Sequence, residues 1–369
     1  MIDKDEFRQL LEPVARAVSI YCSIDTNQRD QRAPQTRLRS LIDMAEQQLA
    51  RNGLDARECA ELVEHLQSLV SDLDFARHRN PGLTIFATAP SAAAQAAKIV
   101  PLPAAMPELI AVGQNFHIKP LLPLMAADQR FGILALSKGN VKLLTATPFM
   151  WADVPLEVLP LEFQAELDAR LEATGHGGQG VSDAARKELL VSNSRTIETA
   201  VKAAIGDDPM PIVLVADPHV AGSFLQNAEI RQIHPRQVHL NPFALDNAEL
   251  HARALDVIRP DLDAELEAVI DQLNARLGTA ETTVAIRLEE ILVAAREGRV
   301  DSVVVAEDEL LWGSFAETGT LVAHGTPAPG DEDLLNLAAV LTLRTGGRAF
   351  AVPRARVPRQ VPAAATLRF

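Results

Sequence analysis

The sequence predicts a layered α/β protein built in three parts, and three observations predict it. Short apolar runs of strand length alternate with helix-period stretches along the whole chain. No internal repeat or low-complexity tract interrupts that alternation, which sets aside solenoids and arrays. A chain of 369 residues with 47% hydrophobic and 23% charged side chains has an ordinary globular composition and more length than one average domain. The same composition excludes disorder and collagen-like repetition. No apolar run approaches the roughly 18 residues of a membrane span. The start, with Asp3, Asp5 and Glu6 before Arg8, lacks the basic and apolar regions of a signal peptide, so the expected location is the cytoplasm, with no membrane contact.

Taken in order, the first part (1–125) opens with a helix near Lys4–Ala17 and a strand near Val18–Ile24. An arginine-rich polar loop leads to two helices at about Thr36–Ala50 and Asp55–Val70, separated by Asn52-Gly53. Strands at Leu83–Ala87 and Glu108–Val112 complete an α/β unit. In the second part (126–262), Phe131–Leu136 and Val141–Leu144 flank Ser137-Lys138-Gly139-Asn140, a hairpin signal. A helical stretch at about Leu161–Leu171 follows. Next come a glycine-rich loop at Gly175–Gly180, a long helix at about Ser182–Ile205 and the strand Pro211–Ala216. The stretch from Ala248 to Leu277 reads as helical, with a hinge at Pro260 leading into the third part (263–369). There a helix (Ala285–Glu297), a strand (Asp301–Ala306), a hairpin at Trp312-Gly313, a helix (Glu332–Arg344) and strands at Arg348–Val352 and Ala364–Phe369 predict a compact α/β/α sandwich.

A net charge of −14 argues against a protein that coats nucleic acid, DNA included, since phosphate neutralisation needs excess Lys and Arg. Residues 1–125 are the least repulsive third, with 13 basic and 15 acidic side chains. Within them Arg29, Arg32, Arg37 and Arg39 face the single acid Asp30, a local footprint for RNA or a solvated helix start. His117 beside Lys119 reads either as an RNA contact or as packing at a domain junction. Cys22 and Cys59 cannot make a disulfide framework and read as buried small hydrophobes. Asp217, after its strand, reads as a helix cap. His234 and His239, with Pro235 between them, miss the i, i+4 spacing of a metal pair and read as surface or loop histidines; no metal and no cofactor is expected. The strand 130–136 carries no carboxylate, which opposes a ribonuclease H-type nuclease, and no G-x-S-x-G elbow supports a serine hydrolase.

The sharpest local signal is His176-Gly177-Gly178-Gln179 just before the long helix. It lacks the Walker ending and the GxGxxG spacing, so nucleotide binding is not its natural reading. A Gly-Gly-Gln loop preceding a long helix resembles the class-one peptide-chain release factors of archaea and eukaryotes. The chain as a whole is similar to the bacterial archaeo-eukaryotic release factor family. The resemblance is carried by Asn115-Phe116-His117-Ile118-Lys119-Pro120, the hairpin from Arg130 to Leu144, Glu249-Leu250-His251-Ala252-Arg253 and Glu297-Gly298-Arg299-Val300-Asp301. Gly330-Asp331-Glu332-Asp333 running into Leu334-Leu335-Asn336-Leu337, and Gly346-Gly347, extend it to the end.

The resemblance implies an N-terminal α/β domain, a ribonuclease H-like middle domain and a C-terminal domain like the kink-turn-binding ribosomal proteins. It implies the ribosome as partner, at the A site and on ribosomal RNA, with elongation factor Tu or another translational GTPase alongside, as in the related Balon-type hibernation factors. Hibernation, rescue or stress protection is the implied role. The stop-codon signatures Asn-Ile-Lys-Ser and Tyr-x-Cys-x-x-x-Phe are missing from residues 1–125, which points to codon-independent docking. If the loop is active, Gln179 with Gly177 and Gly178 would serve peptidyl-tRNA hydrolysis, the glycines by close approach to RNA and the glutamine by an oxyanion contact. Off the ribosome, the same fold would serve as a protein-binding scaffold. The third part, free of Lys and carrying Glu307-Asp308-Glu309 and Asp331-Glu332-Asp333, is expected to dock a basic protein partner, or else to spend those acids on capping.

Overall fold

The computed structural model describes residues 4–25, 32–75, 80–88, 97–125, 130–137, 140–156, 183–206, 208–279 and 283–369, without the side chains of 4, 5, 32 and 183–193. They form a mixed α/β structure with four sheets in two compact units: Met1–Ala126 with Glu265–Phe369, and Ala127–Ala264.

In the first unit, α1 (Lys4–Leu11) stops short of the expected Ala17 because Pro13 lacks an N–H and disfavours a helical residue before it. Strand β1 (Ala17–Ser23) is central in an antiparallel sheet of order β3-β2-β1-β4, with β2 at Gly82–Thr88, β3 at Lys98–Leu102 and β4 at Leu109–Gly113. Strand β3 was not expected from the sequence; Pro101 is tolerated there because β3 is an edge. Val18, Ile20 and Cys22 pack into the core with the hairpin of α2 (Arg32–Arg51) and α3 (Ala56–Ser71), while Ala17 and Tyr21 enter a second core on the opposite face. Burial on both faces is why β1 reads as a continuous apolar run. Gly53 turns the α2–α3 hairpin at φ +77°, a left-handed position that suits glycine.

The opposite face of that sheet is covered by the end of the chain. After the short α4 (Leu122–Met125) and the intervening second unit, the chain re-enters as helix α8 (Ala264–Thr279; α5 to α7 are given below). A sheet of order β10-β16-β11-β15 follows, from Val284–Ala285, Ala363–Leu367, Val300–Ala306 and Arg348–Val352. β10 takes Ala285, the expected first residue of a helix, and α9 runs only from Leu288 to Arg296. β11 and β15 are parallel, joined through α10 (Leu334–Arg344) and a small sheet of β13 (Leu321–His324), β12 (Trp312–Phe315) and β14 (Glu332–Asp333). A Cβ at Gly313 would lie 2.1 Å from the Val322 carbonyl oxygen, so only glycine lets these strands pair.

The second unit is a five-stranded sheet of order β7-β6-β5-β8-β9, from Trp151–Val154, Val141–Ala146, Phe131–Leu136, Ile212–Ala216 and Val238–His239. The first three strands are antiparallel and the last two join in parallel, the ribonuclease H-like order that the resemblance implies. Leu134 and Leu136 face α5 (Asp183–Ile205) and α6 (Pro218–Asn227); Phe131, Ile133 and Ala135 face α7 (Asn247–Leu262). Pro260 is no hinge. It lies inside α7, where it forfeits one backbone bond in the last turn, and the helix ends at the C-cap Asp263.

Candidate functional site

The glycine loop with His176, Gly177, Gly178 and Gln179, and the stretch expected as helix 161–171, lie outside the described residues. What is described is the support. In sequence the glycine-rich stretch lies between β7 and α5 of the second unit, and α5 begins at Asp183, directly after Ser182. Ile197, Ala200 and Val201 are buried, Ile197 and Val201 in the core against the sheet. The start of α5 is therefore about 21 Å of helix axis away from Ile197. Asp217 caps α6, its carboxylate accepting the His219 N–H at 3.0 Å, as expected from the sequence.

Of the arginine cluster, Arg29 lies outside the described residues and Arg32 starts α2 with its side chain undescribed. Arg37 and Arg39 are on the exposed side of α2. Arg37 pairs with Glu108 at 3.2 Å and Arg39 donates to Ser71 Oγ at 3.0 Å. Both pairings sit in water, where they are weak.

His117 and Lys119 correct the RNA-contact expectation. Each is only 2% exposed, and both pack where the first sheet meets α10. Lys119 Nζ is 2.7 Å from Asp333 Oδ2 and also donates to the Glu309 carbonyl. Asp333 Oδ1 accepts the Leu311 and Leu335 N–H groups at 3.1 and 3.2 Å, which makes Asp333 the N-cap of α10. His117 Nε2 lies 3.9 Å from Asp333 Oδ2. Burial pulls the His117 imidazole down to about 4 against the opposing pull of Asp333, so the ring is neutral near pH 7.

The sequence reading missed the residue that organises this cluster. Asn336 Oδ1 accepts the N–H groups of Ile118 and Lys119 at 2.8 and 3.0 Å, and its Nδ2 donates to the Phe116 carbonyl at 3.0 Å. Its signal was an amide inside the apolar run Leu334-Leu335-Asn336-Leu337-Ala338, since a buried amide must find partners. Arg344 and Glu332 extend the cluster through Asn115, at 2.6 and 2.8 Å.

Two further expectations change. Asp331 and Asp333 are buried and Glu332 is largely so. Asp333 caps α10, Asp331 bonds His324 and the Ala328 N–H, and Glu332 accepts from Asn115, which fits the capping alternative for this triplet better than partner docking. Of the other triplet, Glu307 and Asp308 are exposed, and Glu309 pairs with Arg354. His234 is buried, bonded to Asp261 at 2.9 Å beside Arg236, because the edge segment before β9 folds under α7; His239 is exposed. Cys22 and Cys59 are free and buried, as read from the sequence. Among the described residues no group of three or more His, Cys, Asp or Glu is placed to hold a metal ion, and no helix is long and apolar enough to cross a membrane.

Residues 130–299 match the family model described as bacterial archaeo-eukaryotic release factor family 3. No curated protein matches the chain. Among solved structures, the archaeal translation termination factor aRF1 is 12% identical over 98% of this chain and 96% of its own, with a TM-score of 0.26. Dom34 of S. cerevisiae, a translation termination-like factor, is 14% identical over 78% and 79%, at 0.34. Archaeal Pelota, from a ribosome-bound model with ABCE1, is 11% identical over 99% and 93%, at 0.37. These scores are too low to carry a functional reading, which rests on the family match and on the geometry. Residues 130–299 are thus similar to family 3 of the bacterial archaeo-eukaryotic release factors, in keeping with the release-factor resemblance read from the sequence.

Proposed function

We propose that this chain works at the ribosome as a release-factor-like protein that occupies the A site without reading a codon, in hibernation, rescue or stress protection. The observation that carries the reading is the family match over 130–299, which encloses both the Gly177-Gly178-Gln179 tripeptide and the whole of α5 that follows it. The exposed arginine face of α2, with Arg32 at its start and Arg29 before it in sequence, supplies the phosphate contacts in this reading. His117 and Lys119 are withdrawn from the RNA surface, and the acidic run 331–333 is withdrawn from partner docking. A translational GTPase such as elongation factor Tu remains the proposed partner.

Co-sedimentation of the full-length protein with 70S ribosomes, with and without elongation factor Tu, tests the reading. Binding that weakens with salt, and weakens less steeply once Arg29, Arg32, Arg37 and Arg39 are changed to Glu, is the expected result. Failure to sediment under any salt condition overturns it in favour of a scaffold off the ribosome. A second reading, ribosome-dependent peptidyl-tRNA hydrolysis, is favoured by the placement of the tripeptide directly before α5. Release from ribosomes with a vacant A site that disappears in Gln179→Ala would establish it in place of passive occupancy.

A further inference from the structure

Residues 115–122 form no strand, and the backbone polar groups of 116–119 are bonded from two sides. Tyr21 Oη donates to the His117 carbonyl at 2.6 Å and the His117 N–H donates to Ser19 Oγ at 2.9 Å, both from β1. From the end of the chain, Asn336 holds three backbone groups and Asp333 holds the Lys119 ammonium. Around them the contact is apolar: Tyr21, Phe86, Phe116, Ile118 and Leu121 share one core with α10.

A fully buried ion pair is a poor device for stability. Its desolvation cost offsets the attraction, and well-packed apolar side chains do as well in the same space. It is a good device for register. Aromatic and aliphatic surfaces tolerate sliding, whereas the Lys119 ammonium meets Asp333 and the Glu309 carbonyl in one placement only. Asp333 is itself immobilised by capping α10 and by the Leu311 N–H.

We propose that the Lys119–Asp333 pair is an orientation lock that holds the amino-terminal sheet on the carboxy-terminal layer in a single register, so that the surfaces carried by residues 1–125 and 265–369 face a partner as one body. The lock selects one arrangement; the apolar core around it supplies the cohesion.

The test uses full-length protein with spin labels at Met44→Cys and Val322→Cys, two positions 50% and 45% exposed on either side of the junction, Cys22 and Cys59 being buried. Wild-type residues at the lock should give a single narrow distance distribution. Lys119→Met combined with Asp333→Asn keeps the cap on α10 and removes both charges. This double variant should unfold within a few degrees of the parent, yet lose the single narrow peak. Lys119→Met alone, which strands the Asp333 carboxylate, should lower the melting temperature more than the double variant does. A double variant with a distribution as narrow as the parent's overturns the proposal. So does one that no longer folds, since that outcome assigns the pair to stability. Neither readout involves ribosomes, so the lock and the proposed function fail independently.

Discussion

Replacing Asn336 by Ala removes one side chain and strands three buried backbone groups, the N–H of Ile118, the N–H of Lys119 and the carbonyl of Phe116. An unsatisfied buried group costs about 1–3 kcal/mol, and water entering the space left by the amide recovers part of that, which gives about 3 kcal/mol in total. For a unit of this size the melting temperature should fall by roughly 6–12 °C. The chain has two tryptophans, Trp151 in the second unit and Trp312 in the first, so a Trp151→Phe background makes tryptophan fluorescence a probe of the first unit alone. Urea unfolding in that background should show an earlier midpoint at unchanged slope, and amide exchange should accelerate at 116–119. A loss below about 1 kcal/mol, or exchange at Ile118 and Lys119 as slow as in the parent, would refute the idea that this amide organises the junction.

Three further outcomes follow from groups held away from their ordinary protonation. The His117 imidazole is pushed down to about 4 by burial, so the unfolded chain binds the extra proton; stability should be intact above about 6.5 and fall on acidification toward 4, by on the order of 3 kcal/mol, and His117→Phe should flatten that slope in urea titrations at stepped pH. At Asp261, burial alone would raise the carboxyl, but the Arg236 guanidinium and the His234 bond outweigh it and hold the carboxyl below the usual range. Its contribution is therefore present at neutral pH and lost as pH falls through the carboxylate range, and Asp261→Asn should weaken the acid sensitivity of the second unit. Burial pushes the Cys22 thiol up to about 12 and raises that of Cys59, so a thiol reagent at pH 8 should leave both unmodified in the native protein and label both after denaturation. Labelling of either in the native state would show that the α2–α3 layer opens.

What the sequence settles by itself is whatever a few neighbouring residues decide. The hairpin of β5 and β6, the burial of both cysteines, the Asp217 cap and the start of α5 just after Ser182 were legible because periodicity and capping act within one or two turns. The local signals that misled were also local in kind. Pro260 and the helix start near Ala285 obey propensity rules that a last turn and an edge strand override. Tertiary structure alone decided that residues 115–122 and 334–344 complete one another. Lys119 and Asn336 are 217 positions apart, and nothing in either segment's own pattern names its partner. The same pairing turned Lys119, His117 and Asp333 from candidate contact residues into interior ones. A charge in a sequence states what must be compensated, and only the folded chain decides whether water, a ligand or another side chain does so.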